Sequence, residues 1–214
     1  MVNIVFVFTT DYSLSTIKLI MSTNKNNLFP VFLKLEELRL LIVGAGEIGY
    51  EKLNTVLSNS PDTRIRIVAN YFKPEVEELS FQYPNIQLIY ADYTPLFLDQ
   101  CDLVIAAVND MELAEQIRND AKQKGKLINA ADKPSLCDFY LGSVITKGDI
   151  KIAISTNGKS PTLARRLKEF FNEVLPDEIE TAVTNLNTIR NNIQSGFKER
   201  VKKLNELTAS LIRC

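Results

Sequence analysis

Arg39-Leu40-Leu41-Ile42-Val43-Gly44-Ala45-Gly46-Glu47-Ile48-Gly49 is an apolar run that ends in three spaced glycines. A helical pattern follows from about Glu47 to Ser58, with Ile48, Leu53, Val56 and Leu57 near one face. A strand, a tight turn and a helix in that order leave unpaired backbone N–H groups at the helix start, where the helix dipole is positive. A pyrophosphate satisfies both. Gly44 permits the turn, Gly46 admits phosphate to the backbone, and Gly49 lets the helix pack on the strand. The stretch therefore predicts a dinucleotide site at Gly44, Ala45, Gly46, Glu47, Ile48 and Gly49.

Further along, strand and helix patterns alternate. Ile65, Ile67 and Val68 form a second strand that is expected to end at Asn70, about twenty residues after the glycines. Many NAD sites carry Asp or Glu there for the ribose; Asn70 still hydrogen-bonds a hydroxyl. No Arg follows closely to receive a 2′-phosphate, so NAD is expected rather than NADP. A short helix spans Pro74 to Phe81. Further strands are expected at Ile86–Tyr90, Leu103–Ala107 and Leu127–Ala131, with a helix from about Met111 to Lys124 between the last two. Asn109-Asp110 can cap that helix, and Asn109 is a cofactor-side candidate. Asp132-Lys133-Pro134 then turns the chain. This alternation predicts a Rossmann-type, doubly wound parallel α/β sheet.

Two strands joined like a hairpin are expected next, Phe139–Ile145 and Ile150–Ser155, around Lys147-Gly148-Asp149. They would extend the sheet or pair across a dimer. Ser160-Pro161 starts a helix that Pro176 breaks. Residues 177–212 are helical in pattern, interrupted by Gly196. At the other end, Leu28-Phe29-Pro30-Val31-Phe32-Leu33 is expected as an edge segment. Residues 1–27 are expected as a flexible leader, with Met21 as the natural start. The apolar run Asn3–Phe8 is far too short to span a membrane and lacks the flanks of a signal peptide.

Composition narrows the chemistry. The 214 residues are 45% hydrophobic and 24% charged, as in an ordinary soluble protein of one large or two small domains. There is no His, so acid–base work falls to Asp, Glu, Lys, Tyr or Cys. Three widely spaced cysteines suggest neither a disulfide framework nor a zinc site, and fit a reducing cytoplasm. The formal net charge of −1 does not advertise nucleic-acid binding. Residues 1–142 carry 13 basic and 18 acidic side chains, and residues 143–214 carry 12 and 8. The rear of the chain is thus expected to meet an anion, although Glu199 and Glu206 interrupt the basic run that nucleic acid would need.

Several segments in order resemble one family, the precorrin-2 dehydrogenase / sirohydrochlorin ferrochelatases of siroheme synthesis. They are Phe29-Pro30-Val31-Phe32-Leu33; Gly44 to Gly49 with Lys52 behind; and Val104 to Asp110. Asn129-Ala130-Ala131-Asp132, Leu136-Cys137-Asp138-Phe139 and Lys147-Gly148-Asp149 follow. The most specific is Ile152-Ala153-Ile154-Ser155-Thr156-Asn157-Gly158-Lys159-Ser160-Pro161-Thr162-Leu163-Ala164-Arg165. The resemblance implies an NAD-binding domain over residues 28–141, a dimerisation segment over 142–171 and a helical tetrapyrrole-side part over 172–214, assembled as a homodimer. It implies NAD-dependent oxidation of precorrin-2 to sirohydrochlorin, in some members followed by insertion of ferrous iron. It places the catalytic Asp on Asp132, and it makes Asn129, Thr156, Lys159 and Arg165 substrate-side candidates. No resident metal ligands are expected. The competing readings are a non-catalytic NAD(H)-binding redox sensor and an NAD-dependent dehydrogenase of another small substrate.

Overall fold

A computed structural model describes residues 26–193 and 196–209, so the expectations for the first twenty-five residues lie outside the described residues. The glycine stretch is β1 (Arg39–Ala45) running into α1 (Glu47–Asn59). β2 (Arg64–Phe72), α2 (Pro74–Gln82), β3 (Ile86–Tyr90), β4 (Leu103–Ala106), α3 (Met111–Gln123) and β5 (Leu127–Ala130) complete an alternating unit. The five strands lie in the order β3-β2-β1-β4-β5, and every pair is parallel. The chain reverses its winding between β1 and β4, which opens a crevice at the carboxyl ends of the strands.

β1 and β4 are buried almost throughout, because helices cover both faces of the sheet. Alternate side chains serve opposite cores. Leu40 and Ile42 pack with Leu53, Val56 and Val76 from α1 and α2. Leu41 and Val43 pack with Val104, Ile117 and Ala121 towards α3. Each fully buried Leu, Ile or Val contributes about 1.5–3 kcal/mol relative to exposure.

Three expectations need correction. β2 does not stop at Asn70 but continues to Phe72, because a register shift at Gly44 lets Ala45 pair with Phe72. The hairpin begins at Ser143, not Phe139: β6 (Ser143–Lys147) pairs antiparallel with β7 (Ile150–Ile154) as a separate sheet. Residues 137–139 are tied to β5 instead, by Asp138 N–H to Ile128 O at 2.7 Å and Asn129 Nδ2 to Phe139 O at 2.8 Å. Residues 28–33 form no strand, and Phe29, Val31 and Phe32 are exposed.

The rear is helical, with α4 (Pro161–Val174), α5 (Ile179–Asn192) and α6 (Phe197–Thr208). Ser160 caps α4 by accepting from Leu163 N–H at 3.2 Å, with Pro161 in the first turn. α4 packs on β6 through buried Ala164. Lys147 pairs with Asp177, and Lys151 Nζ donates to Asn59 O at 2.5 Å, which joins β7 to the end of α1. Among the described residues no helix is long and apolar enough to cross a membrane.

Candidate functional site

The glycine turn is held by two close approaches. Gly44 has φ +99°, and a Cβ there would lie 2.3 Å from Ala107 O. A Cβ on Gly49 would lie 2.3 Å from Gly44 O. Neither position admits a side chain. Gly46 differs: nothing lies within 4 Å of where its Cβ would be, and no side chain caps α1. No side chain therefore occupies the first N–H groups of α1, which leaves them available to an anion. Glu47 begins α1, and Lys73 Nζ holds its carboxylate at 2.6 Å, with Glu75 at 3.2 Å on the other side. Lys73 also lies 4.8 Å from the centre of the Tyr50 ring. The hydrogen bond to Glu47, above all, raises the Lys73 pKa. The acid nearest the expected phosphates is thus paired.

Asn70 is exposed at the carboxyl end of the sheet, and its amide donates to Asp92, a residue the sequence reading did not single out. Asn109 is exposed beside Asp110, whose carboxylate caps α3 by accepting from Glu112 and Leu113 N–H at 2.8 and 3.2 Å.

Asp132 follows β5 with φ +58°, a left-handed conformation that few residues other than glycine, Asn and Asp adopt readily. The turn that imposes it is tightly held. Ala131 N–H donates to Ala106 O at 2.9 Å, Lys133 N–H to Ala130 O at 3.2 Å, and Lys133 Nζ to Val108 O at 2.8 Å. Behind it, Cys137 Sγ lies 3.2 Å from Ala130 N and 3.1 Å from Ala130 O. Burial raises the Cys137 pKa. One residue on, Arg118 from α3 grips Asp138, and Ile128 N–H also donates to that carboxylate. The Asp132 carboxylate itself makes no hydrogen bond or ion pair among the described residues. It is exposed into a cleft of about 800 Å³ between α1, the Tyr140–Val144 segment and the start of α4.

The cleft brings some expected residues together and leaves others out. Glu47, Asp132 and Thr156 line it; Thr156 Oγ1 also accepts from Ser160 N–H at 3.1 Å. Asn129 does not, because its buried amide is committed to the Phe139 carbonyl. Lys159 and Arg165 do not either: both are exposed, and Arg165 pairs with Glu169 at 3.5 Å. The cations on the cleft are Lys52 of α1, paired with Glu51 at 2.8 Å, and Lys168 of α4. Helical spacing alone could not separate these residues: Pro161, Ala164, Arg165 and Lys168 fall on one stripe of α4, and only the tertiary structure puts Lys168 on the cleft and leaves Arg165 off it. Among the described residues no group of three or more His, Cys, Asp and Glu is placed to hold a metal ion.

Comparison with known proteins agrees with this geometry. Residues 31–143 match the family described as "Putative NAD(P)-binding", and residues 147–172 match "Sirohaem biosynthesis protein central". A siroheme synthase of Psychrobacter cryohalolentis is 34% identical over 150 residues, 70% of this chain and 28% of that protein. One of Baumannia cicadellinicola is 32% identical over 165 residues, 77% of this chain and 35% of that protein. The chain thus spans about a third of the length of the curated relatives it matches. Among solved structures, a protein named SirC, precorrin-2 dehydrogenase superposes with a TM-score of 0.66 at 21% identity, over 84% of this chain and 89% of that one, and so shares its fold. With a glycine turn between β1 and α1 and a family match across that whole sheet, this chain belongs to the NAD(P)-binding family and is similar, over part of their length, to siroheme synthases.

Proposed function

We propose that this chain catalyses the NAD-dependent oxidation of precorrin-2 to sirohydrochlorin, and also the insertion of ferrous iron that completes siroheme. The observation that carries the reading is Asp132: a carboxylate without a partner among the described residues, at the carboxyl end of β5, on a cleft shared with α1. NAD, when bound, supplies a hydride acceptor. The chain's own residues do the rest. The α1 N-terminus holds the pyrophosphate through its free N–H groups. Oxidation removes one hydride and one proton from the substrate, and Asp132 takes the proton. In a chain without His, an unpaired carboxylate is the natural base. The same carboxylate takes pyrrole N–H protons when ferrous iron, a substrate here, enters the macrocycle. Lys52 and Lys168 pair with the substrate's carboxylates on two sides of the cleft, and Thr156 offers a hydroxyl between them.

The same reading divides the chain into a cofactor domain over residues 28–141, a dimerisation segment over 142–171 and a helical substrate-side part over 172–214. It assembles the protein as a homodimer in the cytoplasm. The test is to incubate purified protein with precorrin-2 and NAD and follow NADH absorbance, then add ferrous iron to sirohydrochlorin and follow the siroheme spectrum. NADH formation supports the dehydrogenase. NADH binding without turnover would replace it with a redox-sensing role, and NADH formation without siroheme would remove the chelatase step.

A further inference from the structure

Asn70 and Asp92 meet because β2 and β3 run parallel in register, with Ala69 opposite Tyr90 and Ala91 N–H donating to Ala69 O at 3.2 Å. The next side chains out lie together at the carboxyl edge of the sheet, and the Asn70 amide donates to the Asp92 carboxylate. Both residues are exposed. Asn70 spends an amide hydrogen on this contact, which leaves its carbonyl oxygen and the second carboxylate oxygen of Asp92 as acceptors. Among the described residues no cation pairs with Asp92. The nearest cation along the chain from Asn70, Lys73, is held by Glu47 and Glu75. The carboxyl-terminal part of the second strand, where Asn70 lies two residues before its end at Phe72, is where a Rossmann sheet holds the adenosine ribose, and an acid there distinguishes a free diol from a 2′-phosphate.

We propose that Asp92, oriented by Asn70, supplies the ribose-binding carboxylate that β2 itself lacks, and so selects NAD over NADP. The proposal rests on the dinucleotide reading of the glycine turn. A carboxylate accepts from ribose hydroxyls and repels a phosphate in the same place, and Lys73 is tied up in ion pairs and does not compensate.

The test is calorimetric titration of NADH and NADPH onto the full chain and onto Asp92→Ala and Asp92→Asn. The unsubstituted chain is expected to bind NADH at least about tenfold tighter than NADPH. Asp92→Ala is expected to weaken NADH about tenfold, the loss of one charged hydrogen bond, and to bring the two affinities together. Asp92→Asn, of the same size, should keep part of the NADH affinity and still lose the discrimination; it carries the test if Asp92→Ala does not fold. Variants that retain the original NADH-to-NADPH ratio overturn the proposal, as does a native preference for NADPH. In either case the glycine-turn site stands, since nucleotide still binds. Binding of neither nucleotide by the unsubstituted chain overturns both readings.

Discussion

At the residue scale, the reading concentrates in two positions that break ordinary backbone or packing rules. Asp132 adopts φ +58°, uncommon for a residue other than glycine but tolerated by Asp, within a turn held on both sides. Asp132→Asn keeps the shape and removes the base. It is expected to lower kcat for precorrin-2 oxidation at least about 10²-fold and to leave NADH affinity within about twofold, as steady-state rates and calorimetry would read. A variant at full rate would remove Asp132 from the chemistry. Gly49 has no room for a methyl group, because its Cβ would strike the Gly44 carbonyl. Gly49→Ala should therefore cost about 1–3 kcal/mol in a denaturant titration and weaken NADH at least about tenfold, since α1 must move away from the turn.

Elements position these residues through charged contacts far from the chemistry. The Arg118–Asp138 pair pins the segment after Asp132 to α3 and β5, and both side chains are about three-quarters buried. Arg118→Ala should destabilise the protein by about 1–2 kcal/mol by chemical denaturation and raise protease sensitivity near residues 132–140. Unchanged stability would mean that the turn holds itself. At the amino ends of β1 and β4, Arg39 donates to Asp102 through its guanidinium at 2.8 and 2.9 Å and through its backbone N–H at 2.9 Å. The Arg39 side chain, above all, holds the Asp102 carboxyl well below the usual carboxylate range. The folded pKa is lowered, so this contribution is fully present above the unfolded value near 3.8 and is lost as pH falls through the folded value. Thermal melts between pH 7 and pH 2 should show Asp102→Asn less stable at neutral pH, with the gap to the parent protein closing in acid.

On the scale of the whole molecule, the front and rear are built on different terms. The parallel sheet closes two cores within one chain, whereas α5 and α6 bury no residue of their own. Phe197, Val201 and Leu207 on α6, and Val174 on α4, are exposed in the single chain. Exposed apolar side chains at this density suit helices that find partners in a second copy. Light scattering coupled to gel filtration should give twice the chain mass. A monomer that still oxidises precorrin-2 would remove the dimer from the reading.

What the sequence determined by itself was local. Gly44, Gly46 and Gly49 after an apolar run dictate strand, turn and helix, because no other residue fits two of those positions. Ser160-Pro161 starts α4, and Gly196 interrupts the last helical stretch, through the same short-range chemistry. Asp132 was singled out by the family resemblance, and the local pattern showed only that it follows a strand where the chain turns. Tertiary structure decided what depends on neighbours distant in sequence. It continued β2 past Asn70 by giving Phe72 a partner on β1, and it drew residues 137–139 to β5 instead of the hairpin. It turned Asn129 inward, left Arg165 outside the cleft, and put Lys52 and Lys168 on it. It set Asp92 beside Asn70 across 22 residues of chain. Backbone preferences act over a few residues, and periodicity shows that a helix has an apolar face. Which polar side chains share a cleft is settled only when strands take their register and helices their facing sides.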